Sequence, residues 1–270
     1  MKFDVYLAGK GTRFWSSTSE QSFEKSVACL AEHGFDGIEL MTGNLKDANA
    51  NRIKRLTDSH RLDIVAVASG FIYVQHGLSF THHSSRVRRS AMSKAKECIE
   101  FARKLGAKYV SIGLIKGQVN GRTPLSVAWQ YLVKCVRECG EFSSSRNVIL
   151  LVEPENRYET GYVHTVDEGV ELINDVGLDN VRLMIDTFHM NIEEISMIEA
   201  VRRAERNLAH VHLADSNRLA PGMGHIDFAE VIGGLRSIGY DGYLGLEMLL
   251  KPTLEIAIEK GMQHIKGILG

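Results

Sequence analysis

Val148-Ile149-Leu150-Leu151-Val152-Glu153 is a short apolar run that ends on a carboxylate, and Val181-Arg182-Leu183-Met184-Ile185-Asp186 repeats the arrangement one helix-length later. Runs of this kind, rich in β-branched and apolar residues without strict alternation, suit strands buried on both faces. Working outward, similar runs occupy 3–8, 37–41, 64–69 and 109–113 before them and 210–214 and 243–247 after them, eight in all. Helix-like segments separate and follow them, near 18–33, 44–61, 84–106, 124–145, 164–176, 191–206, 227–238 and 253–268. Gly34-Phe35-Asp36-Gly37, Leu105-Gly106-Ala107-Lys108 and Gly239-Tyr240-Asp241-Gly242 each place a glycine just past a helix, where it closes the last turn. Eight strand–helix units predict parallel strands joined by right-handed crossovers. Eight in one domain favour a closed barrel over an open doubly wound sheet. The open sheet would carry a glycine-rich phosphate loop after its first strand, and Ala8-Gly9-Lys10-Gly11-Thr12-Arg13-Phe14-Trp15 lacks the third glycine. The expectation is one (β/α)8 TIM barrel domain spanning residues 1–270.

Composition narrows the function. In 270 residues, 32 Lys and Arg stand against 33 Asp and Glu, a net charge of −1, so no basic excess exists to hold a phosphate backbone and no nucleic-acid partner is expected. No apolar run approaches the ~20 residues of a membrane span, and Met1-Lys2-Phe3-Asp4 does not begin a secretory leader, so no membrane partner is expected either. Cys29, Cys98, Cys135 and Cys139 lack the spacing of a zinc or redox motif and read as buried free thiols, which suits a reducing cytoplasm.

Functional groups of a parallel barrel gather at the C-terminal ends of its strands. Strands five to eight there present Glu153, Asp186, His212 and Glu247. A lone carboxylate at a strand end is an ordinary helix cap. Three carboxylates on one rim repel one another unless protonated or bound to a cation. One imidazole with mostly oxygen donors suits Mn²⁺, Mg²⁺ or Co²⁺ better than a structural zinc. His210 shares the inward parity of His212 but lies two residues lower, where a core hydrogen bond is expected. Phe14-Trp15 are placed to wall off a ligand or simply to pack.

With these residues in view, the chain resembles the ketose 3-epimerase branch (D-tagatose and D-allulose 3-epimerases) of the xylose-isomerase-like barrels. The resemblance rests on Glu153-Pro154-Glu155-Asn156-Arg157-Tyr158-Glu159, Asp186-Thr187-Phe188-His189-Met190-Asn191, His210-Val211-His212-Leu213-Ala214-Asp215-Ser216-Asn217-Arg218, and Glu247. It implies that Glu153, Asp186, His212 and Glu247 bind one divalent metal per chain, with Mn²⁺ placed first, and that Glu159, His189 and Arg218 contact a sugar. It implies an isomerase that inverts C3 of a free ketose such as D-tagatose, D-allulose or L-ribulose. A homodimer or homotetramer is the expected assembly.

The chemistry agrees with that implication. Epimerisation beside a ketone removes a C–H proton and returns one to the opposite face, through an enediolate that a chelated cation stabilises. Glu153 and Glu247 are the ligand pair suited to act as base and acid. The eighth-strand loop Met248-Leu249-Leu250-Lys251-Pro252 has no glycine to admit a phosphate, which predicts an unphosphorylated substrate. The rival reading is an epimerase for a keto sugar acid, such as a 5-keto-L-gluconate, with Lys116 and Arg122 supplying a cation at the substrate's far end. Ala68-Ser69 stands where the neutral-ketose enzymes usually carry a cysteine. A hydroxypyruvate-isomerase-like enzyme, a non-catalytic sugar-binding protein and an apurinic-site endonuclease rank lower. The last would need histidines ending strands three and four, where Ala68-Ser69 and Ile112-Gly113 stand.

Overall fold

The computed structural model describes residues 1–8, 23–41, 45 and 48–270. Eight strands, β1 (Lys2–Ala8), β2 (Gly37–Met41), β3 (Asp63–Ala68), β4 (Tyr109–Ile112), β5 (Ile149–Val152), β6 (Val181–Asp186), β7 (Leu208–Leu213) and β8 (Tyr243–Leu246), close into a barrel in chain order. Every neighbouring pair is parallel, including the closing pair β1 and β8. The helices are α1 (Phe23–Glu32), α2 (Ala50–Ser59), α3 (Phe71–His76), α4 (Ser85–Leu105), α5 (Leu125–Ser144), α6 (Val166–Val176), α7 (Thr187–Glu193), α8 (Met197–Ala204), α9 (Phe228–Ser237) and α10 (Leu254–Leu269). This is the TIM barrel that the alternation predicts. Gly106 and Gly239 follow α4 and α9 at φ of 77° and 69°, the left-handed closure expected of them. Phe14-Trp15 and the Gly-x-Gly before them lie outside the described residues.

Local chemistry explains where the elements differ from expectation. The segment expected as one helix near 191–206 is two, because the Asp186 side chain accepts from Phe188 N at 2.8 Å and starts α7 directly at the strand end. Ser196 then caps α8 afresh by accepting from Glu199 N. Helix α2 starts late, at Ala50, where Asn49 accepts from Arg52 N. The short α3, Phe-Ile-Tyr-Val-Gln-His, was hidden in the sequence by its apolar, β-branched opening.

The main core lies between strands and helices, where Leu30, Ile99, Leu132, Leu172, Val201, Leu235 and Ile258 are all buried. A second apolar cluster of Val65, Ala66, Tyr109, Leu151 and Met184 packs separately. Leu151 and Met184 each precede a rim carboxylate by two residues, so alternation puts them on the same inward face, one layer below the rim. The four cysteines are free and buried, and burial raises the Cys135 and Cys139 thiols to about 12, which leaves them inert at neutral pH. Among the described residues no helix is long and apolar enough to cross a membrane.

Candidate metal centre

Register assembles the site. Asp186 ends β6 and pairs with His212 on β7, which pairs with Gly245 on β8, two residues before Glu247. Strands β5 and β8 stop one residue early, so Glu153 and Glu247 are the first residues past them. Each of Glu153, Asp186, His212 and Glu247 offers one ligand atom within 4.8 Å of the others, and all four are buried. His212 Nδ1 stands 3.0 Å from Glu247 Oε2 and 3.7 Å from Glu153 Oε1. Among the described residues, neither Glu153 Oε1 nor His212 Nδ1 makes a hydrogen bond of regular geometry. A convergent set of orphaned oxygen and imidazole donors fits a divalent cation. Gly113 makes room for the carboxylates of Glu153 and Glu155, since a Cβ there would stand 3.0 Å from Glu153 Oε2 and 2.7 Å from Glu155 Oε1.

The charges record the crowding. Burial, reinforced by Glu247 and Glu155, pushes the Glu153 carboxyl up to about 8. Burial also lifts Asp186, to about 6, against the pull of Arg218. Burial would raise Glu247 too, but Arg218 and His212 overcome it and hold that carboxyl below its usual range. Arg218, itself buried, forks between Asp186 Oδ2 and Glu247 Oε2, the latter at 2.6 Å. It lies over the Phe188 ring at 4.7 Å and takes φ of 62°, an uncommon conformation for a non-glycine residue, on the turn after β7.

The three residues expected to meet a sugar gather beside this cluster. His189 is buried, with Nδ1 2.7 Å from Asn156 Nδ2 and 3.3 Å from Asn156 N, both donors. Nδ1 therefore accepts and Nε2 carries the proton, 3.9 Å from Asp186 Oδ2. Burial, with Arg218 and Lys116 nearby, keeps the ring neutral. Asn156 Nδ2 also donates to Glu159 Oε1 at 3.2 Å. Glu159 makes no ion pair with Arg157, which binds Glu193 instead. Glu159 lines a cleft of about 830 Å³ with Leu114, Gln118, His82, His83 and Arg122.

One expectation needs correction. Lys116 does not reach a substrate: it is fully buried, with Nζ 2.9 Å from Glu155 Oε2 and 2.6 Å from Glu153 O. Its charge compensates Glu155, which is consequently an integral part of the wall behind Glu153. Arg122 alone of the two lies on the cleft. His210 makes the expected core hydrogen bond, and its partner, Glu39 of β2, was missed along with Asp4 of β1. Burial and Glu39 together push the Asp4 carboxyl well up. The signal was present: a carboxylate inside each of two otherwise apolar strands, Phe3-Asp4-Val5 and Ile38-Glu39-Leu40. Asn156, which bridges His189 and Glu159, is a further residue of the site that its place in the Glu-Pro-Glu-Asn run does not single out.

A closed parallel barrel with a carboxylate–histidine cluster at the strand ends defines the class. The chain belongs to the xylose isomerase-like TIM barrel family, whose pattern matches residues 27–268. It is similar to an L-ribulose 3-epimerase of Mesorhizobium japonicum, 31% identical over 250 residues that cover 91% of this chain and 82% of that protein. A D-psicose 3-epimerase of Ruminiclostridium cellulolyticum is 28% identical over 266 residues, 93% of this chain and 85% of that one. Among solved structures, an L-ribulose 3-epimerase superposes with a TM-score of 0.81 at 25% identity, covering 100% of this chain and 93% of that chain.

Proposed function

We propose that this chain, read as one barrel domain over residues 1–270, is a metal-dependent epimerase that inverts C3 of a free ketose. The observation that carries the reading is the convergence of Glu153, Asp186, His212 and Glu247 on one point, with Glu153 and Glu247 on the outermost strands of the arc. These four residues would hold one divalent ion, Mn²⁺ first, with Mg²⁺ or Co²⁺ as alternatives. When bound, the ion supplies a positive charge against which the C2 and C3 oxygens of an enediolate are stabilised.

The chain's own groups supply the rest. One of Glu153 and Glu247 takes the C3 proton on a carboxylate oxygen, and the other returns a proton to the opposite face. The roles exchange with the epimer bound. Arg218, fixed by its fork to Asp186 and Glu247, and His189, presenting Nε2–H, are the donors for O1 and O2. Glu159, held by Asn156 at the edge of the cleft, accepts from a sugar hydroxyl.

Arg122, His82 and His83 on the same cleft favour a second reading, in which the substrate's far end is a carboxylate. One experiment tests both. Free ketohexoses, ketopentoses, keto-aldonates and sugar phosphates are incubated in D₂O with Mn²⁺ and followed by NMR. Deuterium at C3 of a neutral ketose together with its epimer is the expected result. Preference for a keto-aldonate selects the second reading. No exchange from any free sugar, or preference for a phosphate ester, overturns the proposal.

A further inference from the structure

We propose that Glu39, in the middle of β2, is a positioning residue that fixes the His212 ring from behind and so aims its Nδ1 at the metal centre. The inference rests on the metal-binding part of the reading above. Glu39 is fully buried, and its Oε1 lies 2.8 Å from His212 Nε2 and in hydrogen-bond contact with His210 Nε2. An ionised carboxylate only accepts, so both histidines donate through Nε2. For His212 that leaves Nδ1 as the ligand atom, on the side of the ring that faces Glu153 and Glu247. A carboxylate behind a ligating imidazole sets its tautomer, restrains its rotation and raises its basicity.

The fold accommodates this arrangement at a specific point. Gly245 faces it from β8, and a Cβ there would come within 2.8 Å of Asp4 Oδ1, 3.0 Å of Glu39 Oε1 and 3.0 Å of His212 Cδ2. The His210 and His212 rings meet nearly at right angles with centroids 5.1 Å apart, so the second histidine braces both the carboxylate and the ring. Glu39, His210 and His212 also satisfy the spacing for an ion of their own. Their contacts argue against one, since a single oxygen already accepts from both Nε2 atoms and occupies the space between them.

The test compares the metal-stripped wild-type chain with Glu39→Gln and Asp186→Asn, titrated with Mn²⁺ and followed by the electron paramagnetic resonance of the free ion. Glu39→Gln should bind one ion about 10–100-fold more weakly than wild type. If Asp186→Asn weakens binding and Glu39→Gln does not, the role of Glu39 falls while the centre stands. If Asp186→Asn leaves affinity intact, the centre itself is misread. Two ions per wild-type chain, one lost in Glu39→Gln, would make the lower trio a second metal site and overturn the inference. A measurement without substitution guards against misfolding: in ¹⁵N-histidine-labelled, Mg²⁺-saturated wild type, His212 should carry its proton on Nε2. A proton on Nδ1 would overturn the proposal.

Discussion

The two halves of the barrel rim are built from opposite materials. Strands β5 to β8 bring Glu153, Asp186, His212 and Glu247 to their C-terminal ends, all buried. Strands β2 to β4 end in Met41, Ala68 and Ile112, followed on β3 and β4 by Ser69 and Gly113. The first half gathers negative charge where water cannot screen it, and the chain tolerates this only by placing Arg218 across two of the carboxylates and leaving room for a cation. Among the described residues, these ends of β2 to β4 carry no charge. Lys116 and Glu155 form the seam, a buried pair that lets the charged half abut the neutral one. The difference teaches that chemistry here is concentrated on one side, so substitutions on the two sides should separate function from stability.

The largest effect should come from the charged half. Glu153→Gln and Glu247→Gln keep size and one oxygen but cannot accept the C3 proton. Loss of general acid–base function costs ~10²–10⁴-fold, and saturating Mn²⁺ should restore neither variant. The check is kcat with added Mn²⁺. A Glu153→Gln enzyme at near wild-type rate would break the two-carboxylate mechanism and with it the division of the rim.

The seam comes next. Lys116→Met would strand the Glu155 carboxylate among buried groups, and breaking a buried pair from one side typically costs ~3–5 kcal/mol. Chemical denaturation should show that loss, and Lys116→Met combined with Glu155→Gln should recover most of it. Glu155→Gln alone is therefore no neutral control, although its position beyond the ligand set suggests one. A Lys116→Met chain as stable as wild type would sink the compensation argument.

The pH dependence of the metal-free chain sharpens the same contrast. Glu153 rises from an ordinary 4.5 to about 8 on folding, and Asp186 from 3.8 to about 6. The folded state therefore binds more protons than the unfolded one across this window, so the contribution is present below the unfolded values and lost as pH rises through about 6 and then about 8. Glu247, held low by Arg218 and His212, titrates in the opposite sense but below this window, where it leaves the change between about pH 5 and 8 untouched. The melting temperature of metal-stripped protein should fall between about pH 5 and 8, and the gain from Mn²⁺ should grow over the same range. A metal-induced gain that shrinks with rising pH would contradict the crowding of protonated carboxylates.

The barrel and the four convergent residues were legible because their signals are periodic and local. Each of β5 to β8 carries its polar residue at the end of an apolar run, one strand–helix unit apart. What could not be read depended on distant pairings. Glu39 and His210 lie 171 positions apart in sequence, and only closure of the barrel makes one the partner of the other. Lys116 looked like a loop cation because nothing nearby announces that its stem runs inward to Glu155. The split between α7 and α8 was missed for a related reason: Asp186 serves as cap and rim carboxylate together, its Oδ1 taken by Phe188 N and its Oδ2 by Arg218.

The smallest effect belongs to the neutral half. Ser69 follows β3 at the position where the resemblance leads one to expect a cysteine, which makes it an obvious candidate for a substrate contact. Its hydroxyl is already committed: Oγ donates to Ser111 O at 2.6 Å, and the residue is fully buried. The bond ties the end of β3 to β4, where the three ladder pairs stop at Ala68 and Ser111. Ser69→Ala removes one neutral hydrogen bond and leaves a carbonyl unpaired on that side, at a cost of about 1 kcal/mol. Denaturation should report that loss, while Mn²⁺ affinity and kcat remain within about twofold, less than 0.5 kcal/mol on the same scale. A fall in kcat/KM of tenfold or more, with stability unchanged, would mean that the serine touches the sugar. The neutral half would then take part in recognition, and the rim would divide by charge but not by function.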